Sequence, residues 1–231
     1  MRTSYSALNT YKTCPLKYKY QEIDKIRTPK GVEAVFGSVI HESLKYMFTS
    51  NPLFPTLDET INFFNNKWNF RLNDLNLTDA EQDKHYNVGI EILKNFYKKN
   101  QPWNFNVVDL ESRFEIALED EKTKEKHILA GIIDRIDKHA DGAYEIIDYK
   151  TGRVPSQREI DKSLQMTVYA LAATDPGVLG HDAEEVILSF YFLKEQQKVS
   201  TTRSKEQLTE AKQALIAKAK DMQSSDFAPK V

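Results

Sequence analysis

Apolar residues along the first half of the chain recur at intervals of three and four. From Val32 to Phe48 the set Val32, Val35, Phe36, Val39, Ile40, Leu44, Met47 and Phe48 predicts one amphipathic helix. Asn51-Pro52 and Pro55 interrupt it. Residues 57–74 and 79–100 read as two more helices, the second opened by Thr78 or Asp79. Ahead of them, Ser6 is placed to cap a short helix and Pro15 to start another.

Past residue 106 the period changes from helical to two. Val108, Leu110, Phe114, Ile116 and Leu118 alternate with Asp109, Glu111, Arg113 and Glu115, the pattern of a half-buried strand over 107–118. The charged run Glu119–Lys126 reads as a hairpin tip. Strands over 127–138 and 143–150 follow, joined at Asp141-Gly142. Ser156 with Glu159 forms a capping box for a helix reaching about Ala173. A strand over 185–193, a shorter one near 198–203, and a helix from Ser204 to about Met222 complete the chain. Helices, three strands, helix, two strands and helix make an α/β protein: a mixed central sheet flanked by helices, with an additional N-terminal helical layer. We expect one domain over 1–231, with 50–104 a helical insertion between the helix that carries His41 and the first core strand.

Counting by parity puts charges where a core row should be. In the second strand Ile128, Ala130, Ile132 and Ile136 share a face with Asp134. In the third, Tyr144 and Ile146 share one with Asp148 and Lys150. A buried, unpaired carboxylate costs several kcal/mol, so such groups need a cation, a partner or a wet cleft. A salt bridge at a sheet edge would meet that need. Acid-x-base spacings also arise readily by chance in a chain with 34 acids and 32 bases. The alternative is chemical. Two carboxylates on adjacent strands suit one hard divalent cation, and a lysine about 6.6 Å along the same face suits a scissile phosphate and its attacking water.

Composition narrows the field further. The net charge of −2 points to no particular partner, but it is unevenly spread. Residues 1–30 carry seven bases against two acids, interleaved with Tyr5, Tyr11, Tyr18 and Tyr20. Phosphate neutralisation and base stacking would use such a segment, as would an ordinary solvated helix face. A single cysteine, Cys14, excludes an internal disulfide. No run approaches the apolar length of a membrane span, and Met1-Arg2-Thr3 opens no signal-peptide core, so a soluble, intracellular protein without a membrane partner is expected. Acyl transfer is disfavoured because no Gly-x-Ser-x-Gly is present.

Five motifs occur in order: Ser4-Tyr5-Ser6-Ala7-Leu8 with Tyr11, Cys14-Pro15 and Tyr18; FGSVIHESL at 36–44; GIIDRID at 131–137; IIDYKTG at 146–152; and QMTVY at 165–169. Together they resemble the PD-(D/E)xK nuclease superfamily in its RecB-like exonuclease branch, which includes helicase–nuclease domains and CRISPR-associated exonucleases. The resemblance implies a restriction-endonuclease-like fold. It implies Asp134 and Asp148 as catalytic metal ligands for Mg²⁺ or Mn²⁺, Lys150 as the catalytic lysine, and the Tyr149 carbonyl and His41 as further ligands. Read from sequence alone, His41 is a helix-flank histidine. Gln165 and Tyr169 match a Q-x-x-x-Y that supports the site and contacts DNA, and their spacing puts both on one helical face. Glu111 matches an acid on the first strand, with a supporting role. Tyr5, Tyr11 and Lys17 are the remaining candidates for DNA contact or support.

Relatives that bind a [4Fe–4S] cluster use a cysteine near Cys14 and three more towards the C-terminus. No cysteine follows Cys14, so no iron–sulfur cluster is expected in this chain, or its sequence stops short of those cysteines. The expected function is a metal-dependent DNA nuclease, an exonuclease on single-stranded ends or flaps in repair, recombination or phage defence. Its implied partners are DNA and a helicase or another repair or CRISPR protein. The competing class is a catalytically weak DNA-binding or scaffolding subunit of a helicase–nuclease complex.

Overall fold

In the computed structural model, which describes residues 1–73, 75–182 and 185–229, the first short segment is a strand, β1 (Arg2–Ser4). Helices α1 (Tyr5–Thr13) and α2 (Pro15–Tyr18) and a π-helical turn over Lys19–Ile23 follow. The cap of α1 is Ser4, whose hydroxyl accepts from the Ala7 N–H at 3.2 Å, rather than the expected Ser6, which bonds to the Ser4 hydroxyl instead. Helix α3 (Val32–Met47) carries His41. Helices α4 (Leu57–Leu72) and α5 (Asp79–Lys99) each begin with a reciprocal capping box, Thr56 with Glu59 and Thr78 with Glu81. Position 74, the last of the expected 57–74 helix, lies outside the described residues, as do 183, 184, 230 and 231.

Strands β2 (Val107–Glu119), β3 (Lys126–Lys138) and β4 (Tyr144–Lys150) form the meander, with Gly142 at φ 98° in the β3–β4 turn. The helix expected from Ser156 to Ala173 is two helices, α6 (Gln157–Asp161) and α7 (Leu164–Thr174), because Ser163 opens a second cap. Strands β5 (Val186–Phe192) and β6 (Gln197–Thr201) and helix α8 (Lys205–Gln223) complete the fold. Among the described residues no helix is long and apolar enough to cross a membrane.

The six strands form one mixed sheet, ordered β1-β3-β4-β5-β6, with β2 along the other edge of β3. Strands β1 and β3, and β4 and β5, are parallel; the other neighbours are antiparallel. One edge of β3 is divided between two partners. Strand β1 pairs with 128–130, and β4 pairs with 135–138. Between these stretches, residues 131–134 have no ladder partner on that side, so the sheet opens into a fork.

Apolar cores lie on both faces of the sheet. On one, α1, α7 and α8 cover Phe114, Ile116, Leu118, Leu129, Ile146 and Leu188. On the other, α3, α4 and α5 cover Ile147, Tyr149, Tyr191 and Leu193. The parity expectation fails in the first half of β3. The core row there is Leu129 and Ile133, while Ile128 and Ile132 are 37% and 42% exposed. The three-helix layer meets the β4–β5 side of the sheet and leaves that part of β3 uncovered. Strand β2 also departs from simple alternation. Glu111 sits at φ 52°, and the β2–β3 register shifts between Val107 and Asp109. Leu110 therefore packs with the three-helix core, while Phe114, Ile116 and Leu118 face the other.

Candidate active site

The fork gathers the charged residues of β3 and β4. Where the two strands part, the backbone N–H of Tyr149 no longer meets a β3 carbonyl. It donates instead to Asp134 Oδ2 at 2.9 Å. The carbonyl of Ile132, in the unpaired stretch of β3, lies 3.2 Å from the Tyr169 hydroxyl. The Asp134 side chain thus satisfies the Tyr149 N–H that the split ladder leaves open.

Asp148 is 4% exposed and fully engaged on one oxygen. Its Oδ1 accepts from Gln165 Nε2 and from the Tyr169 hydroxyl, each at 2.7 Å. The Lys150 ammonium lies 2.5 Å from Oδ2, an ion pair that is the close contact of this buried oxygen. Lys150 Nζ donates to Gln165 Oε1 at 3.1 Å and stands 4.9 Å from the centre of the Phe190 ring. Gln165 therefore holds acid and amine through the two ends of one amide, and its Nε2 also reaches the Tyr169 hydroxyl at 3.0 Å.

From the opposite face of the sheet, α3 sends two side chains one turn apart. His41 Nδ1 lies 3.4 Å from Asp134 Oδ2, and Lys45 Nζ lies 2.5 Å from Glu111 Oε2. The His41 ring meets Tyr149 edge-on at 5.9 Å. Tyr149 turns its ring into the three-helix core, so only its backbone is on the site side.

Electrostatics follow from burial and crowding. Burial pushes the Asp148 carboxyl above the usual carboxylate range; Lys150 opposes this and the charge of Asp134 adds to it. Burial works to lower His41, but the contact with Asp134 and the charges of Asp134 and Asp148 outweigh it and leave the imidazole raised. The Tyr169 phenol is held well above its ordinary value, first by burial and then by the two aspartates, so it remains a donor.

The remaining sequence candidates fall at differing distances from this cluster. Tyr5 lines the cavities beside Gln165. Tyr11 is buried in core packing against Tyr18 and Phe227, where it supports α1. Lys17 is exposed on α2.

Sequence reasoning singled out neither Lys45 nor the pair Arg135–Asp137. The Arg135 guanidinium is buried between the rings of Phe48, at 3.9 Å, and Phe105, at 4.6 Å. It grips Asp137 with two hydrogen bonds, one of them Nε to Oδ1 at 2.6 Å, and reaches the Tyr149 hydroxyl at 3.4 Å. This ties β3 to the layer above it, directly beside Asp134. The available signal was the second charge pair inside GIIDRID, two residues apart and so on one strand face.

Among the described residues, no group of three or more His, Cys, Asp or Glu side chains forms a ready cage for a metal ion. The site instead presents two carboxylates from adjacent strands, Asp134 and the buried Asp148. That all-oxygen set has the chemistry of a hard divalent cation.

The sequence model of the PD-(D/E)XK nuclease superfamily matches residues 2–231. The Gene 69 protein of Mycobacterium phage D29 is 26% identical over 190 residues, which are 73% of this chain and 67% of that protein. The crystal structure of SSO0001 aligns with a TM-score of 0.36 and 12% identity, over 85% of this chain and 87% of that one.

Proposed function

The chain belongs to the PD-(D/E)XK nuclease superfamily, and from that membership we propose a divalent-metal-dependent DNA nuclease of the RecB-like branch. It hydrolyses phosphodiester bonds at single-stranded ends or flaps, in repair, recombination or phage defence, beside a helicase or a comparable partner. Residues 1–231 act as one nuclease domain, with 50–104 as its inserted helical layer. The observation that carries this reading is the fork itself, which places buried Asp148, with Lys150 Nζ 2.5 Å from its Oδ2, beside Asp134 of the neighbouring strand.

Asp134, Asp148, the Tyr149 carbonyl and His41 are the groups that would hold Mg²⁺ or Mn²⁺. Such an ion, when bound, polarises a phosphoryl oxygen and makes a water more acidic. The chain's own residues supply position and charge. Gln165 fixes Asp148 and Lys150 relative to each other. Lys150, bonded to Gln165 and with its ammonium directed at the fork, orients the attacking water and offsets negative charge growing on the phosphate. Tyr169 keeps Oδ1 of Asp148 occupied, which directs the other oxygen to the ligand.

Labelled single- and double-stranded DNA, incubated with Mg²⁺, Mn²⁺ or EDTA beside Asp148→Ala and Lys150→Ala, tests the reading. Metal-dependent cleavage is expected, lost in EDTA and reduced at least about 10²-fold in both variants. Cleavage that survives both substitutions would discard it.

A further inference from the structure

A cavity of about 440 Å³ opens next to Lys150, between α1, the loop after β4, and the start of α7. Its rim carries three bases besides Lys150: Lys12 from α1, Arg153 from the loop and Lys162 from the link between α6 and α7. Among the described residues, the single acid on its lining is Glu159. That carboxylate is held to about 2 by Arg153 and by the Ser156 N–H and hydroxyl, so it is ionised and already spoken for. The inner wall is apolar, built from Phe190 and Phe192 with the exposed Leu164 at the mouth. Tyr5 and Gln165 form the partition to a second cavity, which runs on past Ile132 and Tyr169.

Basic rim, apolar wall and direct continuity with the reactive lysine are the complement of one nucleotide. The phosphate needs cations, and the sugar and base need an apolar face. The volume falls in the range of small-ligand sites, roughly 300–1,000 Å³, and is far below what a duplex requires. We propose that this cavity seats the nucleotide unit of a single strand adjoining the phosphate that is attacked. Lys12 and Lys162 hold its phosphate, and Phe190, Phe192 and Leu164 hold its sugar and base. This assignment rests on the nuclease reading above and adds the place and the residues that seat the strand beside the attacked phosphate. Arg153, engaged with Glu159, orders the loop that closes the cavity.

The test is binding of a short fluorescent single-stranded oligodeoxynucleotide to the full chain in EDTA, read by anisotropy between about 50 and 200 mM salt. Lys12→Glu with Lys162→Glu should weaken binding at least about tenfold and lower the salt slope by about 1.4, which is about 0.7 for each lysine that no longer neutralises a single-strand phosphate. Lys94→Glu with Lys98→Glu, on α5, should leave it within about twofold. Thermal melts of both double variants check folding. Binding unmoved by the first pair, or weakened equally by the second, would overturn the seat. An equal loss for a blunt duplex of the same length would overturn its assignment to a single strand. Cleavage by the wild-type chain with Mn²⁺ is read alongside. Absent cleavage with lysine-dependent binding would remove the nuclease reading and leave the seat, whereas normal cleavage with unchanged binding in the first pair would remove the seat alone.

Discussion

Asp148 is the side chain on which the contacts of the fork converge. Its two oxygens have different surroundings: one accepts from Gln165 and Tyr169, and the other is ion-paired with Lys150. Removing the Tyr169 hydroxyl takes a donor from the first oxygen and a neighbour from the Ile132 carbonyl. Tyr169→Phe should therefore lower stability by about 1–3 kcal/mol in a denaturant melt and raise the metal concentration needed for half-maximal cleavage. Gly131, three residues before Asp134, answers to packing alone. A Cβ there would lie 2.5 Å from the Phe114 ring, so Gly131→Ala should cost about 1–3 kcal/mol. The family resemblance carried by the ordered motifs singled out Asp134, Asp148, Lys150, His41, Gln165 and Tyr169, and the structure brings these six to the fork, although from the sequence alone His41 read as a helix-flank histidine. The hydrogen-bond partners were not legible, because they depend on where the β3–β4 ladder ends.

The elements show where counting along the chain stops working. Period-two parity assumes an unbroken pleat, and Glu111 with its positive φ breaks it, as does the half-covered face of β3. The break between α6 and α7 has a distant cause as well. The buried guanidinium of Arg203 donates to the carbonyls of Ile160 and Ser163, each at 3.2 Å, and to Thr167 Oγ1 at 2.9 Å. It adds a distant donor to carbonyls at the α6–α7 junction that also accept from the local Ser163 and Thr167 N–H groups. Arg203→Met should lower stability by about 2–4 kcal/mol by melt and displace the start of α7, with it Gln165. Strands β4, β5 and β6 share another buried charge, Glu145, bonded to Ser189 at 2.5 Å and Lys198 at 2.9 Å. Burial works to raise its carboxyl, but Lys198, Ser189 and His139 outweigh it and hold the group below its ordinary value. A depressed carboxyl contributes stability above the unfolded-state pKa, and that contribution disappears as pH falls through the folded-state value. Thermal melts should therefore drop below about pH 4.5 more steeply for wild type than for Glu145→Gln.

At the scale of the molecule, the sheet is a partition that opens at one place. Helix α3 reaches Asp134 from one core and α7 reaches Asp148 from the other, so each half of the site belongs to a different packing unit. The mixed sheet with helices on both faces was legible from periodicity. The fork was not, because the pairing of β1 with β3 depends on three residues that carry no strand pattern of their own. Asp134 and Asp148 repel each other, and the Lys150 ammonium offsets part of that repulsion. We propose that Asp134 and Asp148 together form one divalent-cation site. Calorimetric titration of Mn²⁺ into the protein alone measures it directly. Saturable binding is expected for the wild-type chain, lost in Asp134→Ala and Asp148→Asn and retained in Lys150→Ala. Equal heats in all four proteins, or none in the wild type, would contradict the account.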